Sequence, residues 1–345
     1  MGMRITTNMI RRNYTNNLMQ NIGGLEKARK QVETGRRFQW SYEDPSAAAK
    51  GMILERRNAR TADYINTVKN GQKWIDSQSD ILSDLSKYAN QIDESEFTAA
   101  MNDPAGTVGR DAFAQNLREL QNSLVKALNT QYGDTFLMAG TDGRNVPFDL
   151  KEDGTLLYQG KDVNDAAAMD PLKNQKLYVD VGFGLTFYPE TEGEHAGEIV
   201  PSSAFDMAFP GILAVGSGTT QVEVPGKGTM ELSNNIIVLA GQMADALTAE
   251  EFDRDLCNAL WDQFKAGRED LQDQFARVGT KAQLLENTLS RLETDEQNIK
   301  EQYMDAVGIE PALAITNESY AMYSYNAALK IGTSLLGNSL LDFMK

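Results

Sequence analysis

Residues 248–307 read TAEEFDRDLCNALWDQFKAGREDLQDQFARVGTKAQLLENTLSRLETDEQNIKEQYMDAV, and this stretch decides the fold. Cys257, Phe264, Leu271, Val278, Leu285, Leu292, Ile299 and Ala306 fall every seventh residue, while Phe275, Ala282, Leu289 and Tyr303 mark the second position of the same stripe. A seven-residue period sustained this long is a coiled-coil seam, because 3.5 residues per turn keeps one apolar line facing a partner helix. Thr248, Ala249, Glu250 and Glu251 read as a capping box, with Leu247 and Phe252 placed to staple the helix entry. Gly308 and then Pro311 write its end. At 1.5 Å per residue the predicted helix is about 85 Å long, more than a compact globular domain needs.

Such a seam needs partners, and the chain supplies them upstream. Val68, Ile75, Leu82 and Ala89 sit seven apart in a helix predicted to open at Asp44-Pro45, an N-cap followed by proline at the first helical position. Asp93 to Gly109 reads as a polar loop. Phe113, Leu117, Leu120, Leu124 and Leu128 then carry a third helix to about Tyr132, where Gly133 supplies a left-handed stop. Neither of these helices can bury its stripe alone, so both are expected to pack on the ladder. The expected core of this rod is Val68, Ile75, Leu82, Leu117, Leu124, Leu271, Val278, Leu285, Leu292 and Ile299.

The two ends read differently. Leu18, Ile22, Leu25 and Val32 make a thin amphipathic stripe diluted by Asn21, Gly23 and Gly24, a helix expected to be weak until another covers it. Thr34-Gly35 closes it. Residues 311–336 form a last helix whose seam is Ala314, Asn317, Ala321, Ser324, Ala328, Ile331 and Leu335. Small seam residues let backbones approach but bury little area each, a pattern that suits many copies packed together. The tail Ser339-Leu340-Leu341-Asp342-Phe343 leaves an apolar tip. The expected assembly interface is Leu18, Ile22, Leu25, Val32, Ala314, Ala321, Ala328, Ile331, Leu335, Leu340 and Phe343.

Between Gly140 and Glu231 the texture changes to glycine, proline and short alternating runs, with strands predicted at 156–159, 176–180, 184–188 and 220–224 and a return to helix from Leu232. The fold class that follows is mainly α: an elongated antiparallel helical bundle formed by both chain ends, with an inserted small β domain. The expected division is 1–40 with 308–345, 41–139 with 232–307, and 140–231.

The chain has 345 residues, 24% of them charged, with a formal net charge of −16, which argues against a nucleic-acid partner. No apolar run reaches the roughly 18 residues of a membrane span, and the first 20 lack the apolar core of a secretory signal. Residues 1–40 run against the trend, with eight basic side chains against Glu26 and Glu33, a segment suited to acidic neighbours in an assembly. Cys257 is the only cysteine and the ladder makes it a buried apolar group. His195 lies among Glu190, Glu192, Glu194 and Glu198, but a single histidine excludes a His-Glu-x-x-His zinc site, and an acidic solvated loop is the simpler reading. Gly226-Lys227-Gly228-Thr229 lacks phosphate-loop spacing. No cofactor, metal or catalysis is expected.

Short motifs at both ends add a family resemblance. Met3-Arg4-Ile5-Thr6-Thr7-Asn8-Met9, Glu33-Thr34-Gly35-Arg36-Arg37 and Glu43-Asp44-Pro45-Ser46-Ala47-Ala48 resemble the N-terminal passages of the bacterial flagellin family. Phe136-Leu137-Met138-Ala139-Gly140-Thr141-Asp142 leading to Pro147-Phe148, Tyr158-Gln159-Gly160, and the Ser339–Phe343 tail resemble members that stand where hook meets filament. Gly308-Ile309-Glu310-Pro311 departs from the Asp-rich passage usual before the last helix. The resemblance implies a structural subunit of the flagellum, an adaptor between hook and filament, exported unfolded without a cleaved signal and held by an export chaperone in the cytoplasm. Its implied partners are further copies of itself in a ring, a hook-side junction protein and flagellin. A filament subunit and a cytoplasmic coiled-coil adaptor are the alternatives, and an enzyme built on the β insert is the reading from another class.

Overall fold

The heptad ladder is one helix, α8 (Arg254–Val307), in a computed structural model that describes residues 7–102, 107–189, 197–225 and 227–343, the side chains of 7, 107 and 335–343 excepted. It starts later than the sequence suggested. Thr248 closes the preceding helix, α7 (Ile236–Thr248), with its Oγ1 donating to the Ala244 carbonyl at 3.0 Å. Ala249 is extended (ψ 143°), which breaks the helix, and Asp253 provides the cap: its Oδ1 accepts the N–H of Asp255 at 2.9 Å and of Leu256 at 3.1 Å. The capping box expected at 248–251 is therefore corrected. Burial of α7 runs through Leu247 and fixes Thr248 as its last residue, so the chain must turn before it can re-enter a helix. Along α8, Cys257, Phe264, Leu271, Val278, Leu285 and Leu292 are buried, Ile299 and Ala306 are half-buried, and Phe275 on the second line is exposed. The first line of the seam is sealed from Cys257 to Leu292, and the second is partly open.

The chain divides into two compact units, residues 63–292, and residues 1–62 with 293–345. Helices α2 (Pro45–Asn90) and α8 contribute residues to both. α1 (Thr7–Thr34) and α9 (Pro311–Phe343) belong to the terminal unit. In the unit 63–292, Val68, Ile75 and Leu82 of α2 and Leu117 and Leu124 of α4 (Thr107–Leu128) are buried with the ladder residues in one core. α4 packs along α7, which is apolar on most of its circumference and buries Ile236, Ile237, Leu239, Met243 and Leu247. Each such side chain contributes about 1.5–3 kcal/mol by leaving water.

Residues 93–109 are not the expected loop. They hold α3 (Glu94–Met101), capped by Asp93 whose Oδ1 accepts the Ser95 N–H at 3.0 Å, and the start of α4. Phe97 is fully buried, its ring 5.0 Å from Trp261 and 5.7 Å from Phe113. With only Phe97 and Ala100 buried, α3 is too short to show a period, and the stacking on Trp261 decides its place. α4 ends at Leu128 rather than near Tyr132, because β1 (Gln131–Tyr132) and β2 (Thr135–Phe136) form a hairpin around Gly133, whose φ of +61° suits the tight turn.

The segment 140–231 builds small antiparallel sheets. β3 (Phe148–Leu150), β4 (Leu156–Tyr158) and β5 (Lys161–Asp162) form one. After α5 (Ala166–Lys173), β6 (Tyr178–Val179) pairs with β7 (Phe205–Asp206). After α6 (Ile212–Val215), β8 (Thr219–Val224) pairs with β9 (Gly228–Ser233) from Thr219↔Ser233 to Val224↔Gly228. The strand predicted at 184–188 is reduced to a single bridge, Phe187↔Ile199. The unexpected β9 takes Leu232 and Ser233 into its ladder and delays α7 to Ile236, where Asn235 Oδ1 accepts the N–H of Ile237 and Val238 at 3.0 and 3.3 Å. Phe148 and Tyr158 are fully buried with ring centroids 4.8 Å apart, and burial drives the Tyr158 phenol well above its ordinary pKa. The fold class read from the sequence, mainly α with long helices from both ends and small sheets between, is borne out. No described helix is long and apolar enough to cross a membrane.

Candidate assembly interface

In the terminal unit the two motifs at 33–37 and 43–48 meet. Gly35, at φ +65°, ends α1 in the left-handed conformation, while Thr34 Oγ1 donates to the Lys30 carbonyl at 2.6 Å and accepts the Arg36 N–H at 3.3 Å. A short antiparallel bridge then ties the two ends of the chain together: Arg36 faces Gly308, the Arg37 N–H reaches Val307 O at 2.8 Å, and the Ile309 N–H reaches Gly35 O at 3.0 Å. That bridge is what Gly308-Ile309 does in place of an acidic bend.

The side chains around the bridge are each accounted for. Arg36 Nη2 donates to Tyr303 Oη at 2.8 Å and pairs with Glu55 at 3.4 Å, and the Tyr303 hydroxyl donates to Glu55 at 2.8 Å. Partial burial, with the Glu55 bond behind it, raises the Tyr303 pKa. Arg37 pairs with Asp44 at 2.9 Å and donates to Ala306 O at 3.3 Å, while the other oxygen of Asp44 caps α2 at the Ala47 N–H, 3.0 Å away. A Cβ on Gly51 would stand 2.6 Å from Val307 Cγ2, so glycine sets the approach of α2 to α8 there. Glu43 Oε1 accepts the N–H of Gln39 and Trp40, both at 3.1 Å, and its other oxygen binds Lys27. The Lys27 bond, then the Trp40 N–H, hold the Glu43 carboxyl below its ordinary pKa. This braced loop presents Trp40, 55% exposed, and Tyr42, 77% exposed, as a stacked pair at 6.5 Å.

α1 and α9 pack antiparallel: Arg29 pairs with Glu318 at 3.7 Å, and the Tyr14 hydroxyl lies directly against the backbone at Gly332. Of the residues expected to meet neighbours, Leu25 and Ala314 are buried in this unit, Leu18, Ala321 and Ala328 are half-buried, and Ile22, Val32 and Ile331 are exposed. The side chains of Leu335, Leu340 and Phe343 lie outside those described, as do Met3 to Thr6 and the loop with His195 and Glu190, Glu192 and Glu194. The two helices thus cover each other along one line, and Leu313, Ile315, Tyr320 and Tyr323 are left in water, the last at 76% exposure. Among the basic residues of 1–40, Lys27, Arg29, Lys30, Arg36 and Arg37 form ion pairs.

Elsewhere the reactive groups are absorbed by the fold. Burial raises the Cys257 thiol pKa to about 11. Lys227, on the β8–β9 turn, pairs with Asp253 at 2.9 Å, and Trp261 is a core ring. Sequence reasoning missed the Arg36–Tyr303–Glu55 group and the Tyr14–Gly332 contact. A glycine inside a helical pattern is the signal that marks such close approaches.

Residues 5–142 match the family model for the bacterial flagellin N-terminal helical region. Flagellar hook-associated protein 3 of Salmonella typhimurium is 23% identical over 153 residues, a stretch that is 44% of this chain and 48%, about half, of that protein. Among solved structures, a Vibrio parahaemolyticus protein assigned to the flagellar hook-associated proteins superposes with a TM-score of 0.58 at 15% identity, over 77% of this chain and 100% of that one. Xanthomonas campestris FlgL gives 0.52 at 15% identity, over 73% of this chain and 99% of that one. At such identities these structures speak to the fold, which is shared. The flagellin resemblance is borne out by the matches, with the family model covering residues 5–142.

Proposed function

We propose that this flagellin-like chain is a structural subunit of the bacterial flagellum, an adaptor that joins hook to filament by helix–helix polymerisation and performs no catalysis. The observation that carries the reading is the α1–α9 hairpin, which brings both ends of the chain together and leaves Ile22, Val32, Leu313, Ile315, Tyr320, Tyr323 and Ile331 exposed. At about 25 cal/mol per Å², covering those groups with neighbouring copies turns an uncovered monomer surface into the driving force for assembly. The same reading makes further copies, a hook-side junction protein, flagellin and an export chaperone its partners, and the flagellum outside the cell its place.

Deletion of 1–40 and 311–345 tests it. The expected product is a soluble chain that retains the unit 63–292 and no longer attaches filaments to hooks in a strain lacking the native gene. Attachment restored by the truncated chain would overturn the mechanism. The match to the flagellin family model favours a second reading as filament subunit. Purified full-length chain that grows long filaments by itself would select that one.

A further inference from the structure

We propose that the terminal unit carries a charge-matched docking face for a second copy of this chain: Arg56, Arg57 and Arg60 on α2 receive the acidic stripe Asp295, Glu301 and Asp305 on a neighbour's α8. The inference rests on the reading of the chain as a self-assembling subunit and names one contact of that assembly.

All six side chains belong to exposed residues of the same unit, and none makes an ion pair among the described residues. Arg56 and Arg60 are four apart on one helix face, where like charges repel, and the chain around them is strongly acidic at net −16. An arginine cluster left unpaired in such a chain is a position for an external carboxylate, since guanidinium binds carboxylates in a planar fork. Met52 and Ile53, 56% and 50% exposed, adjoin the arginines and give the face an apolar part that charge alone would not supply.

Register supports a lateral neighbour. α2 and α8 run antiparallel here, with Gly51 against Val307 and Glu55 bonded to Tyr303. Continuing along both helices sets Arg57 level with Glu301. No ion pair joins the two sets within the chain among the described residues, so both stay open to a neighbour at the same height.

The test uses full-length chains carrying a single introduced cysteine, Ile53→Cys in one preparation and Gln302→Cys in the other, with native Cys257 buried. Oxidation of the mixture is expected to give a disulfide-linked dimer joining one preparation to the other. Yield should fall by about tenfold when Arg56→Glu, Arg57→Glu and Arg60→Glu are introduced, by a similar factor in about 1 M salt, and recover when the other preparation carries Asp295→Lys, Glu301→Lys and Asp305→Lys. Yield indifferent to reversal and salt, or no recovery in the doubly reversed mixture, would overturn the proposal. So would salt-dependent binding of anionic vesicles or duplex DNA lost with the arginines while the recovery fails, which would assign the face to that partner. Filament attachment with the native chain separates the two levels. If attachment holds and the charge swap fails, only this contact is wrong; if the swap succeeds without attachment, the junction assignment is wrong.

Discussion

Replacing Gly51 by alanine isolates the contact that sets how closely α2 and α8 approach in the terminal unit. In a helix interior the exchange alone stabilises by about 0.8–1 kcal/mol, because glycine has more backbone freedom to lose. Here the new methyl would sit 2.6 Å from Val307 Cγ2 and 3.6 Å from the Tyr303 ring, so Val307 or a helix backbone must shift. Overpacking of that kind costs about 1–3 kcal/mol, which leaves a net loss of about 0–2 kcal/mol for Gly51→Ala. In a Val307→Ala background the colliding methyl is gone, and the same exchange should become stabilising. Gly279→Ala is the control, because that helical glycine is exposed with nothing within 4 Å of its would-be Cβ, and it should stabilise by about 0.8–1 kcal/mol. Urea denaturation followed by far-UV circular dichroism measures wild type, both single variants, the double variant and the control. A Gly51→Ala chain more stable than wild type, or an effect of the same sign and size in both Val307 backgrounds, would refute the steric account.

Leu285 is 1% exposed, so Leu285→Ala should cost about 2–5 kcal/mol in the same assay, and a loss below about 0.5 kcal/mol would mean that the seam is not a packed core. Glu43 has a lowered pKa in the folded chain, so its contribution is complete above the ordinary carboxyl value and is lost as pH falls through the lowered one; Glu43→Gln should flatten the acid limb of a stability–pH profile, and an unchanged limb would count against the Lys27–Glu43 brace. Cys257, with its thiol pKa raised to about 11, should resist a disulfide exchange reagent at pH 8 in the native chain and react promptly in urea; equal rates in the two conditions would contradict its burial.

What could be read from the sequence had either a long period or a local rule behind it. The α8 ladder repeats often enough that its register survives Gly267 and Gly279, and Asp44-Pro45 and Gly35 obey local steric rules that no distant contact needs to enforce. The start of α8 was misplaced because Thr248-x-x-Glu251 satisfies a capping rule that a neighbouring helix overrides: burial of α7 claims Thr248 first. α3 is a short element held by a remote ring, Trp261, and nothing within a few residues announces it; β9 pairs with the neighbouring β8, but Leu232 and Ser233 at its end read as the start of the helix that follows. At the candidate interface the apolar residues were legible as stripes. Their sorting between a buried line, with Leu25 and Ala314, and an open face was not, because the choice depends on how α1 lies against α9.

The bridge between Arg36 and Gly308 has a consequence for the order in which the molecule can come into being. The Arg36–Tyr303 bond joins positions 267 apart in the chain, and the Arg37–Ala306 bond positions 269 apart. Closing a loop of that length is slow and is rewarded only at the end. A nascent chain leaving the ribosome can therefore pair α4 with α7 before Tyr303 exists, while α1 must wait, uncovered, until α9 is made. The α1–α9 pair can form only after the unit 63–292 has been made, and any agent that acts on the chain before then meets α1 without its cover.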